Sequence, residues 1–127
     1  ALVAALRTPD RWQSVSALAP VCNPSRSSWG RKAFSHFFGN DRSEWDRWDA
    51  CALMRGGRRH PGRILVDQGE ADPFLTSQRH ADALEVAAKQ VGQGLSLRRH
   101  PGYDHGASFV QTFIADHLEH HASELIG

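Results

Sequence analysis

Three short apolar runs constrain what this chain can fold into. They are Val15–Pro20, Arg63–Asp67 (Arg-Ile-Leu-Val-Asp) and Leu95–Arg99. Their apolar residues are contiguous rather than alternating, the mark of strands covered on both faces. Helical segments separate them. Thr76–Val91 carries Ala81, Leu84, Ala87, Ala88 and Val91 at helical spacing, with Gly92 and Gly94 as a stop. Gly106–Leu125 predicts a second long helix with Phe109, Phe113, Ile114, His117, Leu118 and His121 on or near one face. Shorter helices are expected at Ala1–Arg7, Lys32–Phe38 and Ser43–Met54, the last capped by Ser43, with Trp45 and Trp48 packing it onto the sheet. Strands alternating with helices predict an α/β fold with a mostly parallel sheet and right-handed crossovers.

A length of 127 residues suits one domain, 1–127, and an apolar fraction of 40% permits a core. Fifteen Lys and Arg against 14 Asp and Glu give a net charge of +1, which argues against a dedicated nucleic-acid binder. The one basic cluster, Arg55, Arg58, Arg59 and Arg63, reads as a solvated loop before a strand. Cys22 and Cys51 have neither metal-site nor disulfide-framework spacing. They are expected as free thiols in a reducing compartment, hence a cytoplasmic location. The apolar opening Ala1–Leu6 is too short for a membrane span, and no membrane partner is expected.

Ligand-handling groups of parallel sheets gather beyond the carboxyl ends of the strands. Two loops fall there. Gly69-Glu70-Ala71-Asp72-Pro73 follows the second strand, and Pro101-Gly102-Tyr103-Asp104-His105-Gly106 follows the third. An acid followed by a histidine on successive strands is the acid–base half of a nucleophilic triad in α/β order. Asp67, Glu70, Asp72 and Asp104 compete for the orienting role. Asp67 ends a strand and suits a structural bond to the turn. Glu70 is long enough to remain solvated, and Asp104 adjoins the histidine and should point away from it. Placement favours Asp72, whose backbone Pro73 restricts. Periodicity alone leaves Asp72 and His105 as ordinary loop residues, since such residues are common in loops. His117 and His121 lie one turn apart, yet no acid or cysteine completes a metal site, so packing histidines are expected and no metal.

Four collinear stretches tip that balance. Val15-Ser16-Ala17-Leu18-Ala19-Pro20-Val21-Cys22-Asn23-Pro24, Trp29-Gly30-Arg31-Lys32-Ala33-Phe34, Asp67-Gln68-Gly69 with Asp72 and Phe74-Leu75, and Gly102-Tyr103-Asp104-His105 together resemble the S-formylglutathione hydrolases, the esterase D family of α/β-hydrolases. The likeness runs in order over essentially the whole chain, through the helix ending near Ala122. It implies a three-layer α/β-hydrolase fold, of which this would be the C-terminal portion. It also implies a cofactor-free serine hydrolase that cleaves S-formylglutathione to glutathione and formate, with side activity on small esters. On the matching positions Asp72 becomes the triad acid, His105 the triad base and Trp29 a substrate contact near the acyl pocket.

The departure from that family is the nucleophile. No Gly-x-Ser-x-Gly elbow occurs here: Ser96 has Gly94 before it but Arg98 after, and Ser108 has Gly106 before it but Val110 after. The expectation is therefore a chain that is inactive alone and starts just past the serine. The serine and the oxyanion loop would then come from an N-terminal half of the same enzyme or from a second chain. The first strand should present an open edge, and Leu2, Val3 and Leu6 should lack partners, favouring pairing or homo-oligomers. A non-catalytic truncated fragment that acts only as a pairing or binding module is the alternative.

Overall fold

A computed structural model describes residues 1–126. Three strands, β1 (Val15–Leu18), β2 (Ile64–Gly69) and β3 (Leu95–His100), form one parallel sheet in the order β1-β2-β3. The register aligns Val15 with Ile64 and Leu95, and Ala17 with Val66 and Leu97. Side chains alternate along a strand, so these six share one face. That face carries the hydrophobic core. Helices α1 (Leu2–Arg7), α4 (Ala50–Arg55) and α5 (Ala81–Val91) cover it with Leu2, Leu6, Cys51, Met54, Leu84, Ala87 and Ala88. Leu6, Ile64, Val66 and Leu84 are fully buried. Each such side chain contributes up to about 1.5–3 kcal/mol.

The other face is polar and has one cover, helix α6 (Ala107–Ile126). Its centre is Asp67, fully buried and paired with Leu18 and Arg98 in register. Asp67 accepts two bonds from Arg98 (2.6 and 2.7 Å) and lies 2.8 Å from His100 Nε2 and 2.7 Å from His117 Nε2. One carboxylate thus ties β2 to β3 and to α6. Burial pushes its pKa up, but the hydrogen bonds from Arg98, His100 and His117 outweigh that and hold it at about 2. Asp67 is structural, but through this cluster rather than through a bond to the turn. On α6 only Phe109 and His117 are buried among the expected face, whereas Ile114 and Leu118 are exposed. A polar sheet face selects hydrogen-bonding residues from the helix over it. His121 accordingly meets Ser14 (2.6 Å) and Ser16 (3.0 Å), and His120 meets the Val15 carbonyl (3.0 Å).

Several local expectations change. The helix expected over Ser43–Met54 is two, α3 (Arg42–Asp46) and α4. The caps are Asp41 and Asp49 rather than Ser43, because a carboxylate one turn ahead accepts the free N–H groups. Trp45 is buried against Phe34 of α2 (Ser28–Phe38), not the sheet, and Trp48 remains 39% exposed beneath Arg7. Leu2 and Leu6 of α1 are not left without partners: both are buried in the core. Within the described residues β1 pairs only with β2, so it is an edge strand as expected. Among these residues no helix is long and apolar enough to cross a membrane.

Candidate active site

The site is built where the loops after β2 and β3 cross. Gly69 closes β2, and the β3 loop lies directly on it. A Cβ at this position would stand 2.2 Å from the Tyr103 carbonyl oxygen and 2.3 Å from that of Asp104. Only glycine permits that approach. Two backbone bonds hold the loops together, Glu70 N–H to the His100 carbonyl and Ala71 N–H to the Tyr103 carbonyl, both 2.9 Å. The side chain of Asp104 turns back to accept from Gly106 N–H at 2.6 Å, away from its neighbour His105.

This crossing brings the two sequence-predicted residues together. His105 Nδ1 lies 3.2 Å from Asp72 Oδ2. The Asp72 side chain is fully buried and that of His105 is 41% exposed, so the pair has a fixed end and an open end. Asp72 Oδ1 accepts the Phe74 N–H at 2.9 Å, and Oδ2 accepts from Arg79 Nε at 3.1 Å and Gln68 Nε2 at 3.3 Å. Burial pushes the carboxyl pKa up, but the Phe74 N–H, Arg79 and Gln68 together carry it below the ordinary value, so the acid is ionised at neutral pH. An ionised carboxylate only accepts, so a hydrogen bond across this contact runs from Nδ1–H to Oδ2. In a neutral imidazole Nε2 then keeps its lone pair, free to take a proton.

Arg79 reaches Asp72 because the chain does not run as one helix over Thr76–Val91. Leu75–Arg79 forms a π-helical turn, His80 takes a left-handed conformation at φ 53°, and α5 begins only at Ala81. The wider turn aims Arg79 back at the loop. Sequence periodicity missed this, and missed Arg79 and Gln78 with it. Seven residues from an acid to an arginine look like an ordinary helix surface.

Trp29 stands in the first turn of α2, next to Gly30, whose added Cβ would fall 2.0 Å from the Pro24 carbonyl oxygen. That close contact seats the helix start. Gln78 Oε1 accepts the Trp29 N–H at 3.1 Å, and its Nε2 donates to Ser28 at 2.7 Å. The Trp29 ring packs on Phe74 (centroids 4.5 Å), and Phe74 faces His105 (6.0 Å). An aromatic wall, 43% exposed at Trp29, therefore borders the imidazole. No group of three or more His, Cys, Asp or Glu side chains among the described residues could hold a metal ion. Cys22 and Cys51 are free and buried, and burial pushes both thiols up, Cys51 to about 12.

A buried acid beside an exposed histidine at the carboxyl end of a parallel sheet is the arrangement that an acid–base site of α/β-hydrolase type requires. The protein family described as "Putative esterase" matches residues 1–120, and the chain belongs to that esterase family. It is 44% identical over 125 residues to S-formylglutathione hydrolase of Arabidopsis thaliana, covering 98% of this chain and 44% of that protein. The structure of an S-formylglutathione hydrolase from Agrobacterium tumefaciens superposes with a TM-score of 0.95 at 43% identity, over 98% of this chain and 45% of the other. Esterase B of Lactobacillus rhamnosis, solved inhibited by a tributyrin phosphonate, shares the fold alone at TM-score 0.65 and 16% identity, over 88% of this chain and 40% of that one. The chain thus spans under half the length of the relatives it matches.

Proposed function

We propose that residues 1–127 supply the acid and base of a serine hydrolase acting on S-formylglutathione, with side activity on small esters. The observation that carries this reading is the 3.2 Å contact between Asp72 Oδ2 and His105 Nδ1, with the acid fully buried and the imidazole 41% exposed. The names of the two relatives above 40% identity support the thioester as substrate. In this scheme a serine hydroxyl attacks the formyl carbonyl and His105 Nε2 takes its proton. Asp72 holds the tautomer and stabilises the imidazolium that forms. Collapse of the tetrahedral intermediate expels the glutathione thiolate, which receives the proton from His105. Water, deprotonated by the same nitrogen, then releases formate and regenerates the serine. Trp29 and Phe74 wall the acyl side.

The serine and the oxyanion donors come from polypeptide outside these residues, either an N-terminal half or a second chain, and the assembled enzyme acts without metal or cofactor as a cytoplasmic homo-oligomer. Residues 1–127 alone are inactive. The formyl thioester is already at the oxidation level of formate, so this hydrolysis would be the redox-neutral last step of a formaldehyde detoxification whose oxidation is carried out upstream by a separate dehydrogenase-type reaction. The test uses the assembled protein. A fluorophosphonate should add its mass to one serine outside residues 1–127. His105→Gln and Asp72→Asn should each lower hydrolysis of S-formylglutathione by about 10³-fold or more. Unchanged hydrolysis in His105→Gln overturns the reading. The second reading is a non-catalytic pairing or binding module. An assembled protein that the probe leaves untouched would establish that one.

A further inference from the structure

Asp72 carries a second partner besides His105, the buried cation Arg79, which the acid–base scheme does not use. Arg79 Nε donates to Asp72 Oδ2 at 3.1 Å, on the same oxygen that faces His105 Nδ1 at 3.2 Å. The Arg79 side chain is only 10% exposed and that of Asp72 is fully buried, so the ion pair is shielded from solvent. Its guanidinium also stands 5.6 Å from the Trp29 ring. A serine triad needs one acceptor for the imidazole N–H. Here that acceptor is shared with a full positive charge.

We propose that Arg79 is a positioning residue of the acid–base pair: it locks the Asp72 carboxylate towards His105 and offsets part of the carboxylate's charge. This rests on the reading of Asp72 and His105 as triad members. A cation on the shared oxygen opposes a second positive charge on the neighbouring ring. The bond to Arg79 also helps hold the Asp72 carboxyl below its ordinary value, so the charge that faces the ring is a carboxylate already partnered by a cation. The π-helical turn supplies the geometry, because it returns Arg79 under Phe74 rather than out along α5.

The other charged or titratable groups around the pair do not substitute for it. Glu70 and Asp104 lie exposed in the two loops, and Asp104 is engaged with Gly106. Cys22, after β1, gives its N–H to the Arg79 carbonyl, and burial keeps its thiol protonated. His80 follows Arg79 at the start of α5, with a buried Nδ1 that has no partner. Asp67, Arg98, His100 and His117 form their own cluster on the α6 side of the sheet. Arg79 is the cation bonded to Asp72.

The experiment is a pH–rate profile of the assembled enzyme with S-formylglutathione, for wild type, Arg79→Gln and Arg79→Lys, with thermal melts as a check of folding. Arg79→Gln should move the acidic limb of kcat/KM upward by about one pH unit, roughly tenfold less active base on that limb. Arg79→Lys, which keeps the charge without the fork, should return the limb towards wild type and leave a lower plateau. Carbon-13 NMR of the Asp72 carboxyl reads the same pairing without substrate, and its titration should move upward in Arg79→Gln. A lower plateau with an unmoved or downward-shifted limb overturns the proposal, since loss of packing alone predicts that. If Arg79→Gln fails to fold, the Arg79→Lys limb decides: one coincident with wild type supports the charge, and one displaced like an uncharged site overturns it. An enzyme whose hydrolysis survives His105→Gln, while the Asp72 carbon still responds to Arg79, overturns the triad reading and leaves the pairing standing.

Discussion

Replacing Gly69 with alanine tests how the two loops make the site. The new Cβ would lie 2.2 Å from the Tyr103 oxygen and 2.3 Å from the Asp104 oxygen, where ordinary contact begins at 3.4 Å. Both obstacles are backbone atoms, so neither can swing aside as a side chain would. The β3 loop must therefore retreat by more than 1 Å, or β2 must bend. The loop that retreats carries His105, whose contact with Asp72 already spans 3.2 Å. A further ångström carries it beyond hydrogen-bond reach. Misplacement of that size costs on the order of 10²-fold in rate. The Ala71 to Tyr103 bond strains with it, so stability should also fall, by about 1–3 kcal/mol as for overpacked sites. The assays are kcat/KM of the assembled Gly69→Ala enzyme and its urea midpoint against wild type. Full activity with an unmoved midpoint would refute the loop-crossing argument. A lost midpoint with full activity would show that the loops yield without carrying His105.

Asp67→Asn removes the carboxylate that binds Arg98, His100 and His117. A carboxyl held at about 2, against an ordinary 3.8, contributes stability that is present above pH 4 and disappears as pH falls through about 2. It amounts to about 2 kcal/mol at neutral pH. Urea unfolding at pH 7 should show Asp67→Asn weaker by at least that much, with the gap closing between about pH 4 and pH 2; a gap that persists at pH 2 contradicts the assignment. Trp29→Ala opens the aromatic wall beside Phe74. It should raise KM for aryl and longer acyl esters about three- to tenfold with kcat little changed. An equal fall in kcat and kcat/KM would place Trp29 in the transition state instead.

The strands, their parallel order and the loops at their carboxyl ends were legible in the chain itself. Contiguous runs such as Ile64-Leu65-Val66 between helical periods leave few other architectures. Asp72 and His105 could be named because each follows a strand and matches a motif. That they touch required Gly69, whose missing side chain lets one backbone lie on another, and such an approach is invisible to periodicity. Sequence pattern read Thr76–Val91 as one helix because the apolar spacing of Ala81–Val91 extends smoothly backward. The π turn that breaks it brings Arg79 to Asp72, a contact that apolar spacing does not encode. Likewise α6 looked amphipathic from Phe109 to His121, yet Ile114 and Leu118 face outward. The sheet face beneath it is polar, and a buried carboxylate selects histidines over leucines. Local composition determines which segments become strands and helices. Which side chains meet depends on atoms far apart in the chain, and that is decided only when the layers close.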